Sequence, residues 1–355
     1  MARERDVGYA EGAMRAFVMD RICDVSAEGG PLRAVSLPEP APGPGEVLLR
    51  LTCSGVCHTE LDEIEGRTAP PRLPVVPGHQ AVGRVAALGE GCSRFRVGDR
   101  AGVAWIFSAC GECPACRRGE ENLCPFFRAT GRDADGGYAE FLAVPEAFAH
   151  PIPEVLSDAE AAPLLCAGAV GYRSLRLAGL EDGEILGLTG FGASNHLVLR
   201  MARVLYPKSP VFVWARSGPE REFALELGAA WAGDTPEAPP EPCRAIIDTT
   251  PVWRPVVEAL SRLAPGGRLV INAIRKEDGD REALLRLDYG RDLWLEREVK
   301  SVANVTRADV ARCLDLAARA GIRPEVQPYP FEEANGALKD LKARKIRGAK
   351  VLLLS

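Results

Sequence analysis

The first 149 residues of the chain show short apolar runs separated by turn residues. Three such runs, at 14–18, 46–53 and 83–88, are divided by stretches rich in proline and glycine, such as that at 38–45. Short apolar runs bounded by these residues are typical of strands. The pattern therefore predicts an irregular domain made mostly of β-strands.

From about Ser157 the pattern changes to alternating helices and strands. A helical periodicity over 158–177 precedes a buried strand at 184–189 and an apolar-periodic helix at 195–205. The alternation continues with strands at 210–214, 245–248, 268–272 and 299–304 and helices at 219–227, 256–263 and 309–320. Such alternation predicts βαβ units, a parallel sheet and an α/β fold class.

Composition sets limits on this picture. The chain has 355 residues, 46% of them hydrophobic and 26% charged, with a net charge of −5. This length suggests about two domains, and the charge lacks the basic excess expected for nucleic acid or an anionic membrane. No apolar run approaches the roughly 20 residues of a membrane span, and the charged residues 1–11 lack the apolar stretch of a signal peptide. We expect a cytoplasmic protein with a loose tail at 1–12.

Eleven cysteines in a long chain without an export signal favour metal ligands or reactive thiols over disulfides. Four of them lie within fifteen positions, at Cys110, Cys113, Cys116 and Cys124. Tetrahedral Zn²⁺ accepts four thiolates, and a closed shell of four leaves no place for substrate. The spacing predicts a structural zinc site that holds this loop together; an iron–sulfur cluster and a loop without metal are the alternatives.

Further metal-ligating residue types are dispersed along the chain. Cys57 stands in Gly-Val-Cys-His-Thr, His79 in Pro-Gly-His-Gln and Cys166 in Leu-Cys-Ala-Gly. Taken singly, such a cysteine or histidine is more often an ordinary core or hydrogen-bonded residue than a ligand. The three gain weight from the four-cysteine cluster and from a nucleotide-binding motif further along the chain.

That motif is a glycine-rich segment that follows a predicted strand and opens a predicted helix. Gly190 and Gly192 permit a tight turn and the close approach of a pyrophosphate, which the helix amides near Ala193 and Ser194 would meet. Asn195 replaces the third glycine of the usual fingerprint. In its βαβ context the motif predicts a dinucleotide site.

Together these motifs resemble those of the zinc-dependent medium-chain alcohol dehydrogenases, and more narrowly their cinnamyl-alcohol-dehydrogenase-like bacterial and archaeal members. The resemblance extends from about Met14 to Leu354, and it also rests on Gly-Gly-Tyr-Ala-Glu-Phe at 136–141 and on the tail at 343–351. It implies a GroES-like β catalytic domain that holds both zinc sites and a Rossmann domain with a doubly wound parallel sheet. The implied boundaries are 13–165 for the first domain, completed by 306–355, and 166–305 for the second.

The resemblance implies that a catalytic zinc is held by the three dispersed residues Cys57, His79 and Cys166. It also implies that Thr59 takes the alcohol proton and that Glu60 supports the histidine ligand where an aspartate is usual. Asp62 stands where many relatives carry a relay histidine. Asp62, water or another route would then complete the proton path, unless Asp62 is a solvated surface acid.

The end of the second strand in the nucleotide fold distinguishes the cofactors. An acid there suits the ribose hydroxyl of NAD, whereas an arginine suits the 2′-phosphate of NADP. The chain has Arg216 and Ser217 there and no acid, so we favour NADP over NAD; the alternative is that Arg216 only faces solvent. The resemblance also implies that His58 and Arg307 contact cofactor phosphates, and we place Thr249 beside the nicotinamide.

The function implied is that of a zinc-dependent alcohol dehydrogenase with two zincs per chain, which transfers hydride between a primary alcohol or aldehyde and NAD(P). The alternatives are an NADPH-dependent aldehyde reductase and a non-catalytic NAD(P)-binding zinc protein. Relatives pair through the Rossmann sheet and the structural-zinc lobe, so we expect a homodimer or homotetramer. Trp105 and Phe107 precede the cysteine cluster in a stretch that faces substrate in relatives, which implies an apolar pocket, with core packing as the alternative.

Overall fold

The structure is a computed structural model that describes residues 12–344 and 348–354. Its strands in chain order are β1 (Ala13–Val18), β2 (Arg33–Pro38), β3 (Glu46–Val56), β4 (Ala81–Leu88), β5 (Arg100–Val103), β6 (Ile106–Ser108), β7 (Arg128–Ala129), β8 (Phe141–Pro145), β9 (Ala149–Pro151), β10 (Leu186–Thr189), β11 (Val211–Trp214), β12 (Trp231–Gly233), β13 (Cys243–Asp248), β14 (Leu263–Ile271), β15 (Glu298–Ser301), β16 (Val326–Pro330) and β17 (Ala349–Leu353).

The α-helices are α1 (His58–Ile64), α2 (Pro114–Arg117), α3 (Asp158–Pro163), α4 (Ala169–Ala178), α5 (Asn195–Leu205), α6 (Gly218–Glu226), α7 (Arg254–Ser261), α8 (Arg307–Ala320) and α9 (Ala334–Lys342). Short 3₁₀ helices span Glu121–Leu123, Glu146–Phe148, Arg281–Arg286 and Phe331–Glu333. Two π-helical segments span Leu164–Gly168 and Tyr289–Leu293.

Strands from both ends of the described chain build the first large sheet. Its order is β16-β17-β3-β4-β5-β9, with β8 also paired to β3. Neighbouring strands run antiparallel except for the parallel pair β16–β17. Strand β17 pairs with the end of β3, where Lys350 lies opposite Val56. The C-terminal segment is thus part of this sheet and holds the end of β3, from which the first site residue follows.

Six parallel strands form the second sheet, in the order β12-β11-β10-β13-β14-β15. Numbered by their succession along the chain, this is 3-2-1-4-5-6, the order of the doubly wound dinucleotide-binding fold. The sheet predicted from the alternating pattern is therefore confirmed. The strand order reverses between β10 and β13, so the ligand crevice is expected at the carboxyl ends of these two strands.

The helix predicted at 158–177 is interrupted in the structure. Helix α3 ends at Pro163, the π-helical segment follows, and α4 continues to Ala178. Proline cannot donate the N–H of a regular helical turn, and single π-helical turns are frequent at functional sites. The widened turn carries Cys166.

A hydrophobic core runs through both sheets. Its largest cluster includes Val47 of the first sheet, Leu165 of the π-helical segment and Leu188 of the second sheet. Because the linking helices contribute to this core, the segment that carries Cys166 is packed against both domains.

The remaining predicted elements are confirmed with displaced ends. The strand predicted at 184–189 begins at Leu186, and the one predicted at 268–272 begins at Leu263. Of the tail predicted at 1–12, all but Gly12 lies outside the described residues, as do residues 345–347 of the C-terminal motif. Among the described helices, none has the length and apolar character to cross a membrane.

Candidate active site

Three separate elements bring the dispersed cysteines and histidine together. Cys57 directly follows β3 and precedes α1, Cys166 lies in the π-helical segment, and His79 follows Gly78, whose φ of 97° permits the turn before β4. The ligand atoms of the three residues all lie within 4.8 Å of one another. His79 Nε2 lies 3.2 Å from Cys166 Sγ. The structure therefore brings together the three residues that the resemblance implied as ligands of a catalytic zinc.

Glu60 positions two of these residues from behind. Its carboxylate is fully buried, with Oε1 2.6 Å from His79 Nδ1 and Oε2 accepting a 2.8 Å hydrogen bond from the Cys57 backbone N–H. Because Nδ1 faces the carboxylate, the other ring nitrogen faces the thiols, an arrangement common for histidines that bind zinc. The glutamate thus reaches the place predicted for it with its longer side chain.

The mutual contacts of this cluster shift its pKa values. A hydrogen bond with the Cys166 thiol lowers the pKa of Cys57 well below its usual value. Burial lowers the pKa of His79, but the neighbouring Glu60 carboxylate and Cys57 thiolate outweigh burial and raise it. A cation that bound here would therefore displace protons from the cluster.

The chemistry of the donors fits zinc. Two thiolates and an imidazole are ligands that Zn²⁺ prefers, and three protein ligands leave one tetrahedral position for water or substrate. The Thr59 hydroxyl lies 3.7 Å from Cys57 Sγ. The residues present therefore fit a catalytic zinc with a hydroxyl group beside it.

Asp62 is buried and ion-paired. Its side chain is 8% exposed, and Oδ1 accepts hydrogen bonds from Arg67 Nε at 2.6 Å and from Arg275 Nε at 2.9 Å. The expectation of a solvated surface acid is therefore wrong. A proton-relay role for Asp62 stays a prediction. In that role the proton would pass to a carboxylate that already forms ion pairs with two guanidinium groups.

The four cysteines of the loop from Cys110 to Cys124, hereafter the cysteine lobe, form a second cluster with all sulfurs within 4.8 Å. Cys110 Sγ lies 3.5 Å from Cys124 Sγ and 3.9 Å from Cys116 Sγ. The backbone N–H groups of Glu112 and Cys113 lower the pKa of Cys110 to about 7. Four thiols with such N–H donors fit a closed zinc shell without a place for substrate.

The glycine-rich loop after β10 has the predicted open turn. Gly190 has a φ of 75°, and a Cβ at Gly192 would meet nothing within 4 Å. Asn195 fastens the turn, since its Nδ2 donates to Thr189 O at 3.0 Å, to Gly190 O at 2.8 Å and to Thr249 Oγ1 at 3.1 Å. The residue that replaces the third glycine therefore ties the loop to the end of β13, and Thr249 lies at that junction.

Ser194 links the same loop to the metal-ligand cluster. Its Oγ donates to Ala167 O at 3.1 Å, next in sequence to Cys166, and it accepts from Asn272 Nδ2 at 3.3 Å. Ala193 precedes it in the turn before α5. The predicted cofactor loop is therefore joined to the predicted zinc ligands through Ala167, the residue that follows Cys166.

The loop after β11 carries Arg216 and leads into the capped start of α6. Arg216 is exposed, without an ion-pair partner among the described residues. Ser217 is the N-cap residue of α6, and its Oγ donates to Glu220 Oε2 at 2.9 Å. No acid stands at the strand end itself, but the helix cap brings Glu220, from the first turn of α6, next to Ser217. Arg221 Nη1 also reaches back to Ala215 O at 2.8 Å.

Arg307 lies against the cysteine lobe. Its backbone N–H and Nε both donate to Glu121 Oε1 at 3.0 Å, and its guanidinium lies 4.8 Å from the centroid of the Phe148 ring. The phosphate contact expected of Arg307 stays a prediction. His58 is exposed at the start of α1, beside Cys57.

The two aromatic residues before the cysteine lobe differ in their surroundings. Phe107 is 7% exposed, with the Arg128 guanidinium 5.3 Å from its ring centroid. Trp105 is half-buried, its ring centroid lies 5.0 Å from that of Phe127, and its indole N–H has no hydrogen-bond partner in the described part of the chain. The packing of Phe107 is thus that of a core residue.

Comparison with known proteins identifies the family. Residues 43–154 match the alcohol dehydrogenase GroES-like domain. Over 330 residues the chain is 44% identical to a probable alcohol dehydrogenase of Mycobacterium tuberculosis, an alignment that covers 92% of this chain and 93% of the relative. The chain belongs to the zinc-dependent medium-chain alcohol dehydrogenases. It is also 33% identical over 321 residues to an alcohol dehydrogenase of Geobacillus stearothermophilus, covering 87% of this chain and 92% of that one.

Solved structures agree with this family. A cinnamyl alcohol dehydrogenase of Sorghum bicolor is 27% identical, with a TM-score of 0.82 over 96% of this chain and 97% of the other. A cobalt- and zinc-bound thermostable alcohol dehydrogenase of Pyrobaculum aerophilum is 25% identical, with a TM-score of 0.85 over 96% and 100%. The protein is an NAD(P)-dependent oxidoreductase that acts on alcohols. The non-catalytic alternative is therefore set aside.

Sequence reasoning missed the partners of several predicted residues. Arg275, which reaches Asp62, and Glu220, which reaches Ser217, were not among the site residues. A signal for Arg275 was available, because it follows a predicted strand of the parallel sheet. Side chains at that edge lie near the ligand crevice.

Proposed function

We propose that this alcohol dehydrogenase interconverts primary alcohols and aldehydes with a catalytic zinc and NADP. The observation that carries the proposal is the convergence of Cys57, His79 and Cys166 within 4.8 Å, on elements from three parts of the chain. When bound, zinc acts as a Lewis acid, which makes an alcohol more acidic or a carbonyl more electrophilic. The nicotinamide, by its own chemistry, accepts or donates hydride.

The chain's residues contribute position and proton handling. Glu60 fixes the orientation of the His79 ring, with its Oε1 2.6 Å from Nδ1. The Thr59 hydroxyl, 3.7 Å from Cys57 Sγ, would accept the proton of an alcohol while it passes its own proton on to water, and the same transfer would run backwards in the reverse direction. The core packing around Cys166 excludes water from the back of the site.

The preference for NADP rests on the charges after β11. The exposed guanidinium of Arg216, with Arg221 beside the same loop, suits a 2′-phosphate. Glu220 opposes this attraction, so the net preference is modest.

Arg216→Ala is expected to raise the KM for NADP about tenfold and to leave the KM for NAD nearly unchanged. Glu220→Gln, which keeps the helix cap, is the matched control and should lower the KM for NADP. An equal effect of Arg216→Ala on both cofactors contradicts the proposal.

A second zinc is proposed in the cysteine lobe, whose four sulfurs lie within 4.8 Å. Its role would be structural, since the lobe is polar and short of core contacts. None of the eleven cysteines, all of which lie in the described part of the chain, forms a disulfide. This supports a reducing location such as the cytoplasm.

We also propose a homodimer formed through the edge of the parallel sheet. Strand β15 is exposed along its whole length and has an unpaired edge. The segment that precedes β15, together with the strand itself, carries exposed apolar residues: Leu285, Leu287, Tyr289, Leu293, Trp294, Leu295 and Val299. Light scattering on Val299→Lys, with Leu225→Lys as a control on another exposed surface, should show monomers only for the first. A homotetramer would need a second interface, for which the exposed Phe126, just after the cysteine lobe, is available.

One experiment tests the central proposal. Zinc per chain is measured on the purified protein together with initial rates for primary alcohols and aldehydes with NAD(H) and NADP(H). Two zincs with turnover and a preference for NADP(H) support it, and faster aldehyde reduction than alcohol oxidation would favour the reductase direction. One zinc without turnover overturns it.

A further inference from the structure

Asp62 and Arg275 form an ion pair between the two domains. Asp62 belongs to α1, which follows β3 of the first sheet, and Arg275 belongs to the loop that follows β14 of the second sheet. Arg275 Nε lies 2.9 Å from Asp62 Oδ1, and the two side chains are 22% and 8% exposed. The residues are 213 positions apart, so this contact depends entirely on how the two domains meet.

Both ends of this ion pair are held by their own domains. On one side, Arg67 Nε also donates to Asp62 Oδ1 at 2.6 Å and fixes the carboxylate on the α1 side. On the other, Lys276 Nζ is bonded to Asp248 at the end of β13 and donates to Thr250 O at 2.7 Å. The loop that carries Arg275 is therefore anchored at the carboxyl edge of the parallel sheet, where the nicotinamide cofactor binds in this fold.

Residues three positions before Asp62 and three positions before Arg275 lie at the candidate active site. Asp62 lies one helical turn beyond Thr59 on α1, and Asn272, three positions before Arg275, donates to Ser194 of the cofactor loop. The ion pair therefore joins the helix that directly follows the proposed zinc ligand Cys57 to the loop that borders the cofactor loop.

We propose that Asp62 and Arg275 are positioning residues that set the spacing of the two domains across the cofactor cleft. This inference rests on the proposed function, and it gives the residue at the relay position a different task from proton transfer. The hydride donor and acceptor are carried by different domains, and transfer requires reacting atoms about 3–3.5 Å apart. Loss of the ion pair would widen the distribution of domain spacings, and the hydride step would become slower.

A double-mutant cycle tests this proposal on the full-length enzyme with both zincs bound. The variants are Asp62→Asn, Arg275→Gln and the double variant, measured for kcat, for the KM of the cofactor and for the primary deuterium isotope effect with deuterated alcohol. Each single variant is expected to lower kcat about tenfold and to increase the isotope effect, with the double variant no worse than either single one. Additive losses overturn the proposal, because the residues would then act independently.

Arg67→Gln is the matched control. It removes the other guanidinium from the same Asp62 oxygen but leaves the interdomain contact. Because the interdomain bond remains while the carboxylate loses one of its two guanidinium partners, we expect kcat to fall less for this variant than for Arg275→Gln. A loss as large as that of Arg275→Gln overturns the proposal, since Asp62 would then act only within its own domain. Thermal unfolding of every variant checks that the fold is kept.

Asp62→His distinguishes positioning from proton relay. A histidine at this position would restore a relay but would lose the ion pair with Arg275. A kcat lowered like that of Asp62→Asn supports positioning, whereas a kcat above the wild type overturns it.

A separate binding measurement keeps this inference distinct from the proposed function. If the wild type turns over no alcohol or aldehyde, the proposed function fails, and the same cycle is measured as the Kd of NADPH by fluorescence. Non-additive losses of binding then support the interdomain contact, and additive losses overturn it.

Discussion

The two metal-ligand clusters of this enzyme are built in opposite ways. The cysteine lobe takes its four sulfurs from fifteen consecutive positions and orients them with its own backbone N–H groups. The catalytic cluster takes its three ligands from the end of β3, the turn before β4 and the π-helical segment, and a buried carboxylate orients them. The first is a local structure, whereas the second exists only when the β domain and the linking helices are folded together.

Because of this difference, we expect a metal in the lobe and a metal in the cleft to have different roles. A local cluster on a polar loop has little hydrophobic support, so the metal proposed there would supply the free energy that orders it. The catalytic cluster is enclosed by core residues that fold through their own packing. Loss of a ligand is therefore expected to affect stability in the lobe and activity in the cleft.

The largest effect is expected for Cys166→Ser. Serine is a poor zinc ligand, so turnover should fall by at least about a thousandfold, while one zinc per chain stays in the cysteine lobe. Zinc content and initial rates check this result. Cys23→Ser, at a half-buried cysteine outside both clusters, should keep two zincs and full activity. Unchanged activity of Cys166→Ser would contradict the ligand assignment.

The reciprocal change is Cys113→Ser in the lobe. It should remove the lobe zinc and lower the free energy of unfolding on the order of 3 kcal/mol, because the loop loses its ordering metal. The kcat of the chains that remain folded should change less than about twofold. Denaturant unfolding and zinc content are the measurements. A loss of activity as complete as that of Cys166→Ser, at unchanged stability, would remove the distinction between the two clusters.

The same contrast explains what the sequence predicted. The lobe and the turn at Gly190 were predictable from residue spacing alone, since their geometry is set within a few residues. Cys57, His79 and Cys166 could be grouped only through the family resemblance, because 109 positions separate the first from the last. Pairs such as Arg307 with Glu121, 186 positions apart, depend on tertiary packing that no local pattern encodes.

A smaller effect is expected at Glu60, the residue that orients the catalytic ligands. Glu60→Ala should weaken zinc binding in the cleft about 10- to 100-fold and leave the lobe zinc unchanged. Competition with a chelator, followed as two phases of zinc release, measures both affinities in one protein. Glu60→Asp, with the shorter acid, should recover part of the loss. Parallel weakening of both zincs would show that the variant acts through general unfolding.

The smallest effect concerns the reactivity of the metal-free lobe. Backbone N–H groups lower the pKa of Cys110 from 9.0 to about 7, whereas its contact with Cys57 and its burial raise the pKa of Cys166 well above the usual value. The thiolate is the reactive form, so alkylation of the zinc-free lobe should rise with pH through a midpoint near 7. Mass spectrometry after brief alkylation at several pH values would locate the modified residue. Cys110→Ser should remove this phase, and zinc should suppress it. A midpoint near 9 would mean that the N–H groups do not stabilise the thiolate, and the lobe would then lack the local preorganisation that distinguishes it from the catalytic cluster.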